Sequence, residues 1–184
     1  MMKSAKGKKS FLAGLLRDVV EAFIIVAVIV IVAYTIAGTW PVMVAVESSS
    51  MEPNIYPGDL VFIARDKIIA REGGGSTYIS FKDYGDVIVY QPYGDRSLTP
   101  IIHRAIKRLN ESERPDSRIC INWRDVHYYE GAPYAGYVML GDNNKGKCDP
   151  IVIKQEWIIG VAKFRVPYLG YVRAPWAIHR GGTR

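Results

Sequence analysis

Three kinds of side chain in this sequence could together cut a peptide bond: a serine near the start, a histidine near the middle and a pair of aspartates further on. The serines are consecutive, in Glu47-Ser48-Ser49-Ser50-Met51-Glu52-Pro53-Asn54. A serine hydroxyl is a weak nucleophile until a base takes its proton. The chain has three histidines to supply one. His179 lies in the C-terminal tail, and His127 sits in the polar run Trp123–Tyr128. His103 lies inside the strand-like run Pro100–Ile106, and a strand is a rigid support for a base that titrates near neutrality. The third component is a carboxylate that would fix the imidazole tautomer. Gly141-Asp142-Asn143-Asn144-Lys145-Gly146-Lys147-Cys148-Asp149-Pro150 offers two, Asp142 and Asp149, in a loop whose composition also suits a plain turn.

The elements that must hold these groups can be read from apolar patterning. Ala22 to Val46 contains no charged residue, and a membrane span needs about 20 apolar residues. Trp40 suits the far interface, and Pro41 is expected to stop the helix. A cleaved leader would have a shorter apolar core and a small-x-small site beyond it, so an anchor is the reading adopted. Beyond it the apolar runs become short, β-branched and turn-bounded: VMVAV, LVFIA, VIVY, IIHRAI, RICINW, YVML and WIIGVAKF. The expected fold is mostly β, a sandwich- or barrel-like domain behind one N-terminal transmembrane helix. The expected boundaries are a basic tail at 1–17, an anchor at 18–40, a β domain at 41–165 and a membrane-proximal tail at 166–184. The Gly73-Gly74-Gly75 triplet reads as a loop tip, since no helix start or Lys-Ser/Thr follows it. Tyr168, Tyr171 and Trp176 in the tail suit either membrane-interface contact or ordinary packing.

Charge narrows the function classes. The formal net charge is +6, from 24 basic and 18 acidic residues. Lys3, Lys6, Lys8, Lys9 and Arg17 account for five of the 24 basic residues, which leaves 19 against 18 in the rest of the chain. The excess is a tail, fitted to the cytoplasmic side of a lipid bilayer, and not a basic face for nucleic acid. Cys120 and Cys148 match no zinc spacing, and no metal is expected; they are open either to bridging outside the cytoplasm or to remaining thiols.

Four ordered boxes carry a resemblance. Ser50-Met51-Glu52-Pro53, with its continuation to Pro57-Gly58-Asp59, resembles the Ser-Met-x-Pro box of type I signal peptidases. Tyr84-Gly85-Asp86-Val87-Ile88, Ile101-Ile102-His103-Arg104 and Gly141-Asp142-Asn143-Asn144 with Asp149 resemble the boxes that follow it in that family. His103 stands where most bacterial members have lysine, as in the archaeal and endoplasmic-reticulum branch. Seven positions separate Asp142 from Asp149, where that branch usually has six.

The resemblance implies Ser50 as nucleophile, His103 as base, and Asp149 as orienting acid, with Asp142 bracing the loop and pairing with Arg104. It implies an oxyanion site of the Ser50 N–H and Ser48 hydroxyl, substrate contacts by Met51 and Pro53, and structural support from Arg104 and Gly141. It implies no cofactor. Its substrates would be signal-peptide-bearing preproteins, cut after small residues, and its further partners other subunits of a signal-peptidase complex or the translocon. Its place would be the cell membrane or the endoplasmic-reticulum membrane, single-pass, with the N-terminus cytoplasmic. The competing readings are a self-cleaving relative of the same fold, which would be cytosolic and lysine-based, and an inactive tethered β module or accessory subunit.

Overall fold

The computed structural model describes residues 4–72 and 78–172. The Gly73–Gly75 triplet, Trp176 and His179 lie outside the described residues. The chain divides into two compact units, residues 1–38 and 39–184.

The first unit is one helix, α1 (Ser4–Ala37), whose Phe11–Ala37 stretch of 27 residues is long and apolar enough to cross a membrane. At 1.5 Å per residue it reaches about 40 Å, beyond the roughly 30 Å of a hydrocarbon core. Leu, Ile and Val side chains around its whole circumference are exposed, with no polar face. The helix ends at Gly38, not at Pro41 as expected. Gly38 takes φ +63° and its N–H closes on the Tyr34 carbonyl at 2.9 Å. That left-handed turn costs glycine little, so the helix is already capped before proline could terminate it.

The second unit is mostly β. Among the described residues its eight strands are β1 (Met43–Ala45), β2 (Leu60–Ala64), β3 (Ile79–Ser80), β4 (Asp83–Tyr84), β5 (Val87–Tyr90), β6 (Ile101–Leu109), β7 (Gly136–Leu140) and β8 (Ile158–Val166). Six form one sheet in the order β1-β2-β8-β5-β6-β7, and β3 and β4 form a separate hairpin. All the pairings are antiparallel. Successive side chains on a strand point to opposite faces, and here both faces are covered. Val61, Ile63, Val87, Val89 and Ile102 pack on one side with Met51 and Ile55. Ile88, Tyr90, Ala105, Met139 and Val161 pack on the other with Ile153. Each such fully buried aliphatic chain contributes about 1.5–3 kcal/mol, so the central strands β5 and β6 are the firm base of the domain.

One expected strand is absent. RICINW, residues 118–123, forms turns, with the N–H groups of Ile119 and Cys120 bonded to the Asp116 carbonyl and that of Trp123 to the Cys120 carbonyl. Its apolar residues are used as a plug: Ile119 and Cys120 are buried among Leu109, Val126, Tyr128 and Val138. A short apolar run that fills a core from a loop has the same composition as a strand.

Candidate active site

The serine segment follows β1 and is folded on itself. Val46 and Gly58 close its base through Val46 N–H to Asp59 carbonyl (2.9 Å) and Gly58 N–H to Val46 carbonyl (2.8 Å). Within it, the N–H groups of Asn54 and Ile55 both donate to the Met51 carbonyl at 3.0 Å. Met51 and Ile55 are fully buried, so the tight turn is nailed to the core while Ser50 sits half-buried at its rim. Met51, expected to touch substrate, is thus corrected: its side chain has no exposed surface and supports the serine from beneath. Pro53, the other expected contact, is exposed beside it.

His103 and Arg104 are neighbours on β6 and therefore point to opposite faces of the sheet. His103 pairs across to Ile88 and Arg104 to Val87, residues of the two different core layers. This alternation decides which aspartate each one meets. His103 Nδ1 lies 2.8 and 2.9 Å from the two carboxylate oxygens of Asp149, and His103 Nε2 lies 3.1 Å from Ser50 Oγ. A neutral ring that donates from Nδ1 to the carboxylate keeps Nε2 as an acceptor facing the serine hydroxyl. On the other face, Arg104 Nε and Nη2 donate to the two oxygens of Asp142 at 2.8 and 2.7 Å. Arg104 Nη1 donates to the carbonyls of Ser80 and Gly85, both at 2.7 Å. Arg104 is fully buried, and a buried guanidinium persists only when its charge and donors are matched in this way.

The loop after β7 carries both aspartates and also grips the serine segment. Asn54 Nδ2 donates to Asp142 Oδ2 at 2.8 Å, and Asn143 N–H donates to the Ser50 carbonyl at 2.8 Å. Asn143 Nδ2 reaches the Ser49 carbonyl at 3.1 Å. Ser48 Oγ stands 3.2 Å from Ser50 Oγ. Gly141 sits where these chains cross: a Cβ there would lie 2.7 Å from the Ser50 carbonyl oxygen and 2.7 Å from Asn144 Nδ2. The first of these is backbone and cannot swing aside. Gly141→Ala is therefore expected to displace Ser50 and lower kcat by about 100-fold. Steady-state kinetics of the detergent-solubilised variant, beside circular dichroism to verify the fold, checks this.

The Asp149 end of the loop is held by the segment before β7. Cys120 and Cys148 form a disulfide, settling the two alternatives left by their spacing. Asn122 brackets Cys148, accepting from its N–H at 2.8 Å and donating to its carbonyl at 3.0 Å. Tyr128 Oη donates to the Asp149 carbonyl at 3.2 Å, and Asp149 N–H reaches the Met139 carbonyl at 2.9 Å. His127 is exposed, away from these contacts.

Three side chains not singled out by the sequence join these networks. Asn54 bridges the serine segment to Asp142. Asp86, buried, accepts from Ile69 N–H and Tyr78 Oη, each at 2.7 Å, and so fixes the chain entering β5. Burial and this carboxylate push the Tyr78 hydroxyl up to about 12. Tyr90 Oη donates to Asp149 Oδ2 at 2.6 Å. Burial first, and the Asp149 charge second, hold the Tyr90 phenol far above its ordinary range, so it remains a donor. Asn54 was within reach as part of the first box, and Asp86 as part of the second. Tyr90 could be found only by knowing that β5 lies beside β6.

A strand-borne imidazole held between a serine hydroxyl and a buried carboxylate is the geometry of a serine–histidine–aspartate triad. Most of the chain is also similar to two signal peptidase subunits. The chain is 26% identical over 136 residues to the signal peptidase complex catalytic subunit SEC11 of Colletotrichum graminicola, covering 71% of this chain and 60% of that one. It is 26% identical over 137 residues to the same-named subunit of Lachancea thermotolerans, covering 71% of this chain and 62% of that one. It thus spans about three fifths of the length of these relatives. No family model matches it. The resemblance to signal peptidases of the endoplasmic-reticulum type therefore extends, at low identity, over most of the chain.

Proposed function

We propose that this protein is a membrane-anchored serine endopeptidase that removes N-terminal signal peptides from exported preproteins. The observation that carries the reading is His103, within hydrogen-bond reach of Ser50 on one ring nitrogen and of Asp149 on the other. In this reading His103 Nε2 takes the hydroxyl proton as Ser50 Oγ attacks the carbonyl at the end of the signal peptide. Asp149 holds the ring in the donor tautomer and stabilises the imidazolium that forms. The oxyanion is met by the Ser50 N–H and the Ser48 hydroxyl, the latter 3.2 Å from the attacking oxygen. One such donor is worth about 3–4 kcal/mol in the transition state. The imidazolium then protonates the leaving amine, and water, deprotonated by the same ring, releases the acyl group from Ser50.

The substrate enters extended and adds a strand to a sheet edge; β1, which ends the sheet, leads directly into the serine segment. Asp142 and Arg104 brace the site without joining the proton path. The boundaries that follow are a basic tail to residue 17, an anchor over 18–40, the protease domain over 41–165 and a membrane-proximal tail. The tail faces the cytoplasm and the protease domain lies on the opposite side, where a disulfide can form. The relatives are named as subunits of a signal peptidase complex, so other subunits of such a complex are partners of this chain in the same reading.

The test is to incubate the detergent-solubilised full chain and its Ser50→Ala variant with a preprotein and to sequence the product N-terminus. Cleavage by the wild type alone, after a small residue at the signal-peptide boundary, is the expected result. Equal cleavage by both proteins overturns Ser50 as the nucleophile; cleavage by neither, in detergent and in lipid vesicles, overturns the reading and favours an inactive tethered subunit.

A further inference from the structure

We propose that Tyr90 is a positioning residue for the proton relay, acting through Asp149. The inference rests on the triad reading above and deepens it. Tyr90 closes β5, two residues beyond Ile88, which pairs with His103. Tyr90 and His103 therefore stand on the same face of adjacent strands, one diagonal step apart. The ring of Tyr90 is 1% exposed, packed with Ile88, Ala105 and Met139, and has no room to turn away. Its hydroxyl ends 2.6 Å from Asp149 Oδ2, the length of a charge-assisted O–H···O⁻ bond.

Asp149 needs such a partner. The terminal torsion of an aspartate is broad and only weakly restrained by its own chemistry. A histidine bonded to both oxygens, at 2.8 and 2.9 Å, leaves the carboxylate free to rock about that contact. A second donor on Oδ2, from a different strand, removes that freedom and fixes the imidazole in turn. The titratable groups that face Asp149 are His103 from β6, Tyr90 from β5 and Tyr128 from the segment before β7, and Lys145 and Lys147 of its own loop line one surface cavity with it. Tyr128 reaches only the backbone carbonyl of Asp149. Tyr90 is thus the side chain, besides His103, that touches the carboxylate among the described residues.

The hydroxyl also divides the carboxylate charge. With it gone, that charge falls on His103 alone and the imidazolium is held more firmly. Protonated His103 cannot accept from Ser50, so the enzyme then becomes active only at higher pH.

The experiment is steady-state cleavage of a preprotein across pH by the full chain in detergent, comparing wild type, Tyr90→Phe, Tyr134→Phe and Ser50→Ala. Tyr134 is a matched control, donating its hydroxyl to the Val152 carbonyl at 3.1 Å. Tyr90→Phe is expected to lower kcat about tenfold, the scale of one hydrogen bond to a charged group, with KM within about twofold. The acid limb of its kcat/KM profile should move to higher pH, while Tyr134→Phe stays at wild type. A Tyr90→Phe enzyme with unchanged kcat and an unmoved acid limb overturns the proposal, as does an equal loss in Tyr134→Phe. If Tyr90→Phe folds poorly, the low-field proton resonance of the imidazole N–H bonded to Asp149 is read on the folded fraction. It should shift from its wild-type position, and an unshifted resonance overturns the proposal. Inactive Ser50→Ala beside a wild-type-like Tyr90→Phe means that only the role of Tyr90 fails. An active Ser50→Ala means that the triad reading fails and takes this proposal with it.

Discussion

Ser50→Ala and His103→Ala are each expected to lower kcat for signal-peptide cleavage by about 10⁶-fold, and the double variant hardly further, because nucleophile and base act as one unit. The geometry explains the equivalence. Ser50 Oγ has His103 Nε2 at 3.1 Å and Ser48 Oγ at 3.2 Å, and of these only the imidazole can carry a proton away near neutrality. Ser50→Ala should leave the domain folded, since Ser50 sits at a rim and the packing beneath it comes from Met51 and Ile55; His103→Ala is read beside its thermal unfolding, because the buried imidazole is a partner of Asp149. Asp149→Asn should cost about 10⁴-fold in kcat, the scale seen when a triad aspartate loses its charge but keeps its shape. Asp142→Asn should spare more of kcat and lower stability, since its partner is Arg104. Kinetics and thermal unfolding of wild type, Asp149→Asn and Asp142→Asn separate the two aspartates; a harsher kinetic loss for Asp142→Asn would reverse their assignment.

The second large effect is on the fold. Arg104→Ala is expected to destabilise the protein by about 3–5 kcal/mol, because it leaves a buried carboxylate without its counter-charge. The Asp142 side chain is 5% exposed and Arg104 is 0% exposed, so water cannot replace what is removed. The carbonyls of Ser80 and Gly85 lose their donor in the same step. Arg104→Lys should recover little, since a single ammonium cannot serve a carboxylate and two carbonyls from one point. Thermal unfolding in detergent, monitored by circular dichroism, measures both variants; a midpoint within a degree of wild type would contradict the network described.

The candidate serine and histidine could be named from short motifs, and the β class was legible in the turn-bounded apolar runs along the chain. What stayed closed was anything that depends on which strand lies beside which. Asp142 and Asp149 share one loop, and sequence separation does not reveal that the loop runs from one face of the sheet to the other. Tyr90 reads as the last residue of an apolar run until β5 is placed beside β6. RICINW failed for the converse reason: its composition reports burial, and burial was supplied by a loop plug joined through Cys120 to Cys148. At the end of α1, Pro41 was the stronger textual stop, yet Gly38 acts first because a left-handed residue can cap a helix within one turn.

Strand β6 also carries a hazard of its own making. From Ile102 to Ile106 every residue is buried, so the usual rule of apolar inside and polar outside says nothing about how the strand should be phased. A slip by one position would turn the guanidinium to the face of the sheet that holds Asp149 and the imidazole to the face that holds Asp142. Each face would still carry one carboxylate and one cationic or proton-donating group, so the charge count on either side would barely register the error. The product would be a well-folded protein with nothing beside its serine to accept a proton. Fidelity then falls to the irregularity between Ala105 and Lys107, which keys β6 to β7 at one place, and to the carbonyls of Ser80 and Gly85, which only a guanidinium can satisfy together. In this protein the arginine next to the histidine serves as a proofreading mark for alignment, and the alignment is what makes the neighbouring residue chemically useful.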